Sequence, residues 1–230
     1  MDNVSVAFKL IEDGKRPSAA HNKVPFHMIC DIKMYFTRKA RLVAEGCRTP
    51  NPVTSTFAGV VSRESARIEF TYAALNGLDV WAADVQNTFL HAPCYEKYYT
   101  VFGPKFVSEF IGKLAIIVRE AYGLKYAGAD IRNHLCNCME HLAYESCKAD
   151  PYVWMWSATR TDGQDYHEYI LLYVDDCLCI YENPNPALLQ VDKYFPIKPA
   201  SLGPPKTYLG GTVSNIQLPN GVHDWSFSSL

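Results

Sequence analysis

The sequence has no long apolar run, no C-x-x-C cysteine pair and no signal-peptide pattern in its first residues, and each absence argues against a class of protein. Its longest apolar stretches, residues 152–156 and 169–174, are far shorter than the ~20 residues of a membrane-spanning helix, so we expect no membrane partner. The eight cysteines include no C-x-x-C pair, which favours reduced cysteines that act as small core residues over a zinc site. Charged residues stand where a signal peptide has its apolar core, so we expect an intracellular protein.

The sequence also has no repeat and no low-complexity block, which excludes solenoids, propellers and wholly disordered chains. Its composition is that of a globular protein, with 48% hydrophobic and 20% charged residues among 230. A chain of this length buries a core without help from disulfides or metal. The 22 Lys and Arg against 24 Asp and Glu give a net charge of −2, which argues against a protein that simply coats nucleic acid.

Basic residues are nevertheless concentrated near the N-terminus. Residues 1–50 hold nine Lys and Arg against five Asp and Glu, a local net charge of +4. Such a density suits contact with phosphates, although a solvated charged face explains it better on composition alone. The densest group consists of Lys33, Arg38, Lys39, Arg41 and Arg48.

Hydrophobic periodicity predicts an α+β fold in which helices pack on a largely antiparallel sheet. Residues 1–27 are weakly patterned and are predicted to form an N-terminal arm. Helices are predicted over residues 60–76, 129–144 and 184–194, the first with Ser62 as N-cap and Gly77 as its stop. Strands are predicted over 37–45, 78–85, 113–119, 152–158, two parts of 164–181, and a hairpin from 206 to 218 that turns near Gly221.

Two adjacent aspartates, Asp175 and Asp176, interrupt the strand-forming run 169–181. Because Asp is depleted from strands and a buried unpaired carboxylate is costly, we expect both in a tight turn between two strands. A plain β-turn explains the pair, since Asp is a favoured turn residue. Alternatively, the turn presents two carboxylates to a divalent cation, because Mg²⁺ prefers oxygen ligands.

Asp84 ends a predicted buried strand, in a place where an uncompensated charge is expensive. If that strand lies beside the hairpin, three carboxylates converge and repel one another unless cations lie among them. Two Mg²⁺ ions bridged by carboxylates are the arrangement that stabilises the attacking and leaving oxygens in nucleotidyl transfer. We also expect Asp84→Asn to stabilise the metal-free fold slightly, because it removes a buried charge.

Residues 173–176, Tyr-Val-Asp-Asp, resemble the Y-V-D-D box of reverse transcriptases, and their surroundings resemble the polymerase of copia-type LTR retrotransposons. Six further segments match boxes of that family in the family's order, and together they cover about residues 28–215. They are 38–46 (K-A-R-L-V-A-x-G), 60–63 (a helix entry), 83–90 (D-V-x-x-A-F-L), 122–125 (Y-G-L-K), 147–151 (S-K-A-D-P) and 202–210 (L-G-x-x-K-Y-x-L-G).

The resemblance implies the fingers and palm of a polymerase right hand over residues 28–230, with the thumb missing or truncated, as a piece of a longer polyprotein. The implied reaction is RNA-directed DNA synthesis, in which a primer 3′-hydroxyl attacks the α-phosphate of a deoxynucleoside triphosphate. The implied cofactor is Mg²⁺, two ions, with Mn²⁺ as a substitute. The implied partners are an RNA template, a DNA primer and the dNTP, and the implied locations are the cytoplasm, the nucleus or virus-like particles.

The resemblance also assigns roles to single residues. Asp84, Asp175 and Asp176 would be the catalytic metal ligands, with the Val85 carbonyl as a further ligand. Lys39 and Arg41 would hold the triphosphate, and Phe89 would pack under the incoming sugar and exclude a 2′-hydroxyl. Tyr173, Lys125, Gly203 and Lys206 would contact primer and template. Without the family boxes, a solvated strand face explains Lys39 and Arg41, and a core aromatic explains Phe89.

Several positions depart from the family pattern, and they leave catalysis open. The family segment that ends in Arg-Trp has Asp130 and Ile131 here, so an acid replaces a base and a large aromatic side chain is lost. One alternative is therefore a catalytically inactive remnant that still binds nucleic acid. A second is an unrelated Mg²⁺-dependent phosphohydrolase that carries Y-V-D-D by chance.

Overall fold

A computed structural model describes residues 6–32, 36–104, 106, 108–219 and 223–229. Lys33 and Gly221, which the sequence placed in the basic group and in the last hairpin turn, lie outside the described residues. Three helices lie wholly within the described residues: α1 (Arg63–Asn76), α2 (Ala127–His141) and α3 (Pro184–Asp192). Short 3-10 helices cover Gly46–Arg48, Thr88–His91, Ser108–Phe110 and Pro199–Ser201.

The strands of the described residues form four sheets, in the orders β1-β7-β6-β2, β5-β11-β10-β9-β8, β12-β13-β14 and β3-β4. Their bounds are β1 (Phe8–Leu10), β2 (Asn22–Lys23), β3 (Phe26–Ile32), β4 (Arg38–Ala44), β5 (Asp79–Asp84), β6 (Tyr98–Val101), β7 (Leu114–Ile117), β8 (Glu145–Ser146), β9 (Val153–Thr159), β10 (Asp165–Tyr173), β11 (Asp176–Tyr181), β12 (Thr207–Tyr208), β13 (Gly211–Gln217) and β14 (His223–Ser229). The β2–β6 pair is parallel and the other pairs are antiparallel. The chain is therefore a mixed α+β protein, as predicted.

The chain divides into two compact units, of which the first comprises Met1–Ala58 and Asn87–His134. Its described part contains the four-stranded sheet and the β3–β4 ribbon. Phe8, Phe102 and Ile117 are among the side chains of its core. Residues 1–27 were predicted to be an arm, and their described part includes β1, which pairs with β7 and buries Phe8.

The second unit comprises Gly59–Gln86 and Leu135–Leu230. The five-stranded sheet is its centre, α1 packs against β5, β11 and β14, and α3 packs against β5 and β11. The core of this unit includes apolar side chains from both α1 and the sheet, among them Phe70, Val80, Leu171, Leu178 and Ile180.

Helix α1 begins and ends where local chemistry dictates. Ser62 is the N-cap: its backbone is extended and its Oγ accepts a hydrogen bond from the Ser65 N–H, 3.0 Å away. Gly77 ends the helix with a left-handed φ of 60°, which glycine adopts at little cost. The predicted cap and stop are confirmed, and the predicted start at residue 60 is three residues too early because the chain is extended up to Ser62.

A second side chain, Asp150, supports the same helix end. Its carboxylate accepts hydrogen bonds from the Ser62 N–H at 3.0 Å, the Ser65 hydroxyl at 2.6 Å and the Tyr152 N–H at 3.1 Å. Burial acts to raise the pKa of Asp150, but these hydrogen bonds outweigh burial and lower the pKa below its ordinary value. Asp150 thus joins the start of α1 to the segment that leads into β9.

We expect Asp150→Ala to lower the free energy of unfolding at pH 7 by about 2–3 kcal/mol, because three hydrogen bonds to a charged acceptor are lost. The lowered pKa means that this stabilisation is present above the ordinary pKa of Asp and is lost as the pH falls through the folded-state pKa. Urea unfolding at pH 7 and pH 3 measures both effects. Asp13→Ala, at an exposed turn residue, is the control; an equal loss in both variants would contradict the role given to Asp150.

Candidate active site

The turn between β10 and β11 consists of Val174 and Asp175, because Tyr173 and Asp176 are the last paired residues of the hairpin. Asp176 therefore begins β11, and the prediction that both aspartates lie in the turn is wrong for Asp176. Val174 has a φ of 54°, a left-handed conformation that is uncommon for a β-branched residue. In a two-residue hairpin loop this first position is often glycine, so the turn carries backbone strain.

Strand β5 lies beside this hairpin and brings the third predicted acid to it. Asp84 stands opposite Asp176 in the antiparallel β5–β11 register. The next residue, Val85, is buried, and its N–H donates a hydrogen bond of 2.7 Å to the carbonyl oxygen of Asp175. The backbone thus places Asp84 opposite Asp176 and next to the turn that holds Asp175, which meets the condition that the sequence analysis set for the three acids to approach one another.

The electrostatics of this end of the sheet are dominated by negative charge. Burial, followed by the charges of Asp175 and Asp84, raises the pKa of Asp176 to about 6, while Lys198 acts in the opposite direction. Ionisation of Asp176 is therefore opposed mainly by burial and further by two neighbouring acids. A cation near the three carboxylates would offset the repulsion between them.

Lys198 is the residue at this site that the sequence reasoning missed. Its Nζ lies 2.5 Å from Oδ1 of Asp84, and both side chains are partly exposed. The backbone supports the pair: the Lys198 N–H donates to the Asp84 carbonyl at 2.9 Å, and the Asp84 N–H donates to Ser201 Oγ at 2.8 Å. The expectation that Asp84→Asn stabilises the metal-free fold assumed a buried charge without a partner. That assumption is wrong, since the Asp84 side chain is partly exposed and its charge is compensated by Lys198.

The segment that carries Lys198 covers the outer edge of β5. Ala82 and Gly203 exchange two backbone hydrogen bonds, of 2.7 and 3.1 Å, and Val85 forms a further bridge with Ile197. Edge strands present unpaired N–H and C=O groups, and this segment satisfies part of that edge. Gly203, predicted to contact the primer, has its own N–H and carbonyl engaged with Ala82.

The donor set suits a hard divalent cation, because it offers carboxylate oxygens and the Val85 carbonyl. Among the described residues, however, no three His, Cys, Asp or Glu side chains are grouped as a metal-binding cluster requires. The contact that the Asp84 carboxylate does make is the ion pair with Lys198. The acids are therefore oxygen donors of the type that a hard cation prefers, but the described side chains are not grouped as a metal site and one of them is paired with an ammonium group.

The predicted triphosphate residues lie in the first unit, on β4. Lys39 and Arg41 are two residues apart and so share one face of the strand, opposite Asp31 and Ile29 of β3. The Arg41 guanidinium lies 5.7 Å from the centre of the Tyr122 ring.

Phe89 lies in the 3-10 helix that follows Asn87, in the same unit, and its ring packs edge-on against Tyr122 with centroids 4.6 Å apart. Tyr122 therefore contacts both Arg41 and Phe89, which the sequence had singled out separately. Phe89 is partly buried and also packs against the core of this unit. The alternative that Phe89 is a core aromatic therefore accounts for part of its contacts.

The remaining predicted residues have local partners. Lys125 donates from Nζ to the carbonyl oxygens of Thr49, at 2.9 Å, and Pro50, at 3.1 Å. Tyr173 ends β10 opposite Asp176, and the carbonyl of Lys206 accepts a hydrogen bond from the Val213 N–H at 2.9 Å. Contacts of these residues with primer or template stay predictions.

Comparison with known families gives a match over nearly the whole chain. The sequence model of the family described as "Reverse transcriptase (RNA-dependent DNA polymerase)" matches residues 6–223, which include every predicted site residue. No curated protein matches the chain significantly. In the part of the chain that the structure describes, we find no helix with the length and apolar character of a membrane span.

Proposed function

The chain belongs to the reverse transcriptase (RNA-dependent DNA polymerase) family, and from that premise we propose that residues 28–230 form the fingers and palm of a copia-type polymerase. The proposed reaction is RNA-directed DNA synthesis from dNTPs on a DNA primer paired to an RNA template. The observation that carries the proposal is the β5–β11 register, which sets Asp84 opposite Asp176 and beside Asp175.

In this proposal the three aspartates and the Val85 carbonyl would hold two Mg²⁺ ions, with Mn²⁺ as a substitute. When bound, the metal ions supply positive charge that stabilises the attacking and leaving oxygens of nucleotidyl transfer. The chain's own contribution is positional: the hydrogen bond from Val85 to Asp175 ties the turn to β5, and the β5–β11 pairing fixes Asp84 relative to Asp176. Catalysis of phosphoryl transfer rests mainly on such positioning and charge neutralisation.

The basic face of β4 is the proposed site for the triphosphate. Lys39 and Arg41 offer two cations on one strand face, and guanidinium groups bind phosphate oxygens through paired N–H donors. The ring of Tyr122 contacts both Arg41 and Phe89. It would therefore fix the distance between the guanidinium that binds the triphosphate and the ring that contacts the sugar. Lys125, Tyr173, Gly203 and Lys206 are proposed to contact primer and template.

A second function, nucleic-acid binding without synthesis, is favoured by one observation. The ammonium group of Lys198 pairs with Asp84 and neutralises one of the three acids from within the fold. A cation that binds Asp84 must displace this pair or share the carboxylate with it. If the pair persists in the presence of Mg²⁺, the chain would bind nucleic acid through its basic face and catalyse nothing.

Primer extension on a poly(rA)–oligo(dT) duplex with Mg²⁺ or Mn²⁺ tests the proposal. We expect template-dependent extension by the wild-type chain and a decrease of about 1,000-fold or more in Asp175→Asn, because a metal ligand is lost. Asp79→Asn makes the same chemical change at the exposed far end of β5, opposite Tyr181, and should leave extension unchanged.

The outcomes separate the two functions. Folded wild-type chain that binds the duplex with a steep dependence on salt, but extends nothing, would support the non-catalytic function. Equal extension by wild type and Asp175→Asn would remove Asp175 from the metal site. Release of phosphate from nucleotides without a template would instead indicate a phosphohydrolase.

A further inference from the structure

A cavity of about 430 Å³ lies in the second unit, beside the ends of β9, β10 and β11. It is at the opposite end of the β10–β11 hairpin from the Val174–Asp175 turn, because its lining uses Tyr166 at the start of β10 and Tyr181 at the end of β11. Its volume is in the range of sites for small organic ligands. Nothing in the proposed polymerase chemistry uses it.

Aromatic side chains form much of the wall. The rings of Tyr144 and Trp156 are 5.8 Å apart and inclined by 53°, so they form a corner. The hydroxyl groups of Tyr144 and Tyr181 are 2.6 Å apart and hydrogen-bonded to each other. Trp156 is 40% exposed, which places its indole at the accessible rim, whereas Tyr181 is buried.

Two glutamates give the cavity a negative charge. Glu168 stands opposite Trp156 in the β9–β10 register, and the Tyr166 hydroxyl donates a hydrogen bond of 2.5 Å to its Oε1. Burial is the main cause that raises the pKa of Glu168; the hydrogen bond from Tyr166 lowers it, and the charge of Glu182 raises it further. In the described part of the chain, neither Glu168 nor Glu182 forms an ion pair.

Arg160, whose guanidinium lies near the Tyr166 ring, is engaged outside the cavity. The guanidinium carbon of Arg160 lies 5.2 Å from the centre of the Tyr166 ring, and its Nη2 donates a hydrogen bond to the carbonyl of Asn76. Arg160 is not among the residues that line the cavity. Of the two glutamates, Glu168 is half-buried and Glu182 is exposed. The described residues that line the cavity include no basic side chain to pair with them.

We propose that this cavity binds an organic ammonium cation that carries N–H donors, the alkylammonium group found in polyamines and in lysine side chains. Its N–H groups would donate to Glu168, Glu182 and the tyrosine hydroxyls, and its charge would lie near the face of Trp156. The alkyl part would contact the ring corner formed by Tyr144 and Trp156. A neutral ligand would leave the carboxylate charges uncompensated, and an anion would be repelled.

Titration with n-butylammonium tests the site, with the indole NMR signal of Trp156 as a local reporter. We expect a saturable shift of that signal with a Kd of about 1 mM, the affinity of a single well-placed charged group. n-Butanol, which has the same alkyl chain without the charge, should cause no saturable shift. Choline, a cation without N–H donors, should bind at least about threefold more weakly.

Glu168→Gln should weaken n-butylammonium binding by about tenfold or more, because it removes the central charge while keeping an acceptor for the Tyr166 hydroxyl. Glu145→Gln is the matched control, since Glu145 is exposed on β8 of the same sheet and does not line the cavity. If Glu168→Gln fails to fold, Glu182→Gln carries the same test at a more exposed position. Spermidine and Nα-acetyl-lysine methylamide then distinguish a polyamine from a lysine side chain as the source of the ammonium group.

The proposal is overturned by any of three results: no saturable shift up to 20 mM n-butylammonium, equal binding by wild type and Glu168→Gln, or choline binding as tight as that of n-butylammonium. Because primer extension is scored separately, its absence would not affect the outcome at this cavity.

Discussion

Asp176→Asn is expected to stabilise the metal-free chain by about 1–2 kcal/mol and to abolish the response of its melting temperature to Mg²⁺. The gain has a physical cause: burial and the charges of Asp175 and Asp84 all oppose ionisation of Asp176, and Asn carries no charge. The loss follows from the proposed metal site. A Kd of about 1 mM would let 10 mM Mg²⁺ stabilise the wild type by about 1.4 kcal/mol, or about 3–5 °C for a chain of this size.

Thermal unfolding with and without 10 mM Mg²⁺ measures both parts of this prediction, and Asp79→Asn is again the matched control. The control should behave like the wild type in both conditions, because Asp79 is exposed and pairs with Tyr181 at the far end of β5. An Asp176→Asn variant that keeps the full Mg²⁺ response would exclude Asp176 as a ligand. A variant that is less stable than wild type without metal would show that Asp176 makes a favourable contact instead of suffering repulsion.

Much of the second unit was predictable because its signals are local. The N-cap Ser62 and the stop at Gly77 are read from single residues, and the buried strands appear as short apolar runs. The meeting of Asp84 with Asp176 needed one further assumption, that β5 lies beside the hairpin, and the β5–β11 register fulfils it. Which residues form the turn was harder to predict, because sequence rules favour glycine at the position where Val174 adopts a φ of 54°.

The side-chain contacts of Lys198 and Tyr122 with the predicted site residues could not be predicted from the sequence. Lys198 follows Asp84 by 114 positions, and no periodicity or spacing joins them. Their contact depends on the path of the chain along the edge of β5, which is fixed by backbone hydrogen bonds such as that between Ala82 and Gly203. Tyr122 belonged to a recognised box, but its contacts with Arg41 and Phe89 arise from packing within the first unit.

The burial of Glu120 in the first unit could not be predicted from the sequence either, because this charged residue lies in an ordinary loop. Glu120 is 1% exposed, and among the described residues neither of its two carboxylate oxygens has a hydrogen-bond partner. Burial is the main cause that raises its pKa to about 8; Cys94 acts to lower the pKa, and the nearby acids Asp130 and Glu96 raise it. Asp130, one of the departures from the family pattern, therefore lies in an acidic group with Glu120.

We expect Glu120→Gln to raise the free energy of unfolding by about 2–4 kcal/mol more at pH 8.5 than at pH 5. The ordinary pKa of this carboxyl is 4.5 and the folded-state pKa is about 8, so the folded chain binds the proton more tightly. Stability of the wild type therefore falls as the pH rises from 4.5 to 8, and it changes little from this cause above 8. Gln does not ionise, so the variant escapes that loss, while at pH 5 it resembles the protonated Glu that it replaces.

Urea unfolding of both chains at the two pH values isolates this contribution, because other titrating groups are common to both. Glu109→Gln, at an exposed position of the same unit, should show no such pH-dependent difference. A Glu120→Gln variant with the same pH dependence as the wild type would mean that Glu120 ionises freely in the folded chain. The buried acid would then have to be reached by solvent or paired with a cation, and its cluster with Asp130 would place no constraint on the pH at which this chain is stable.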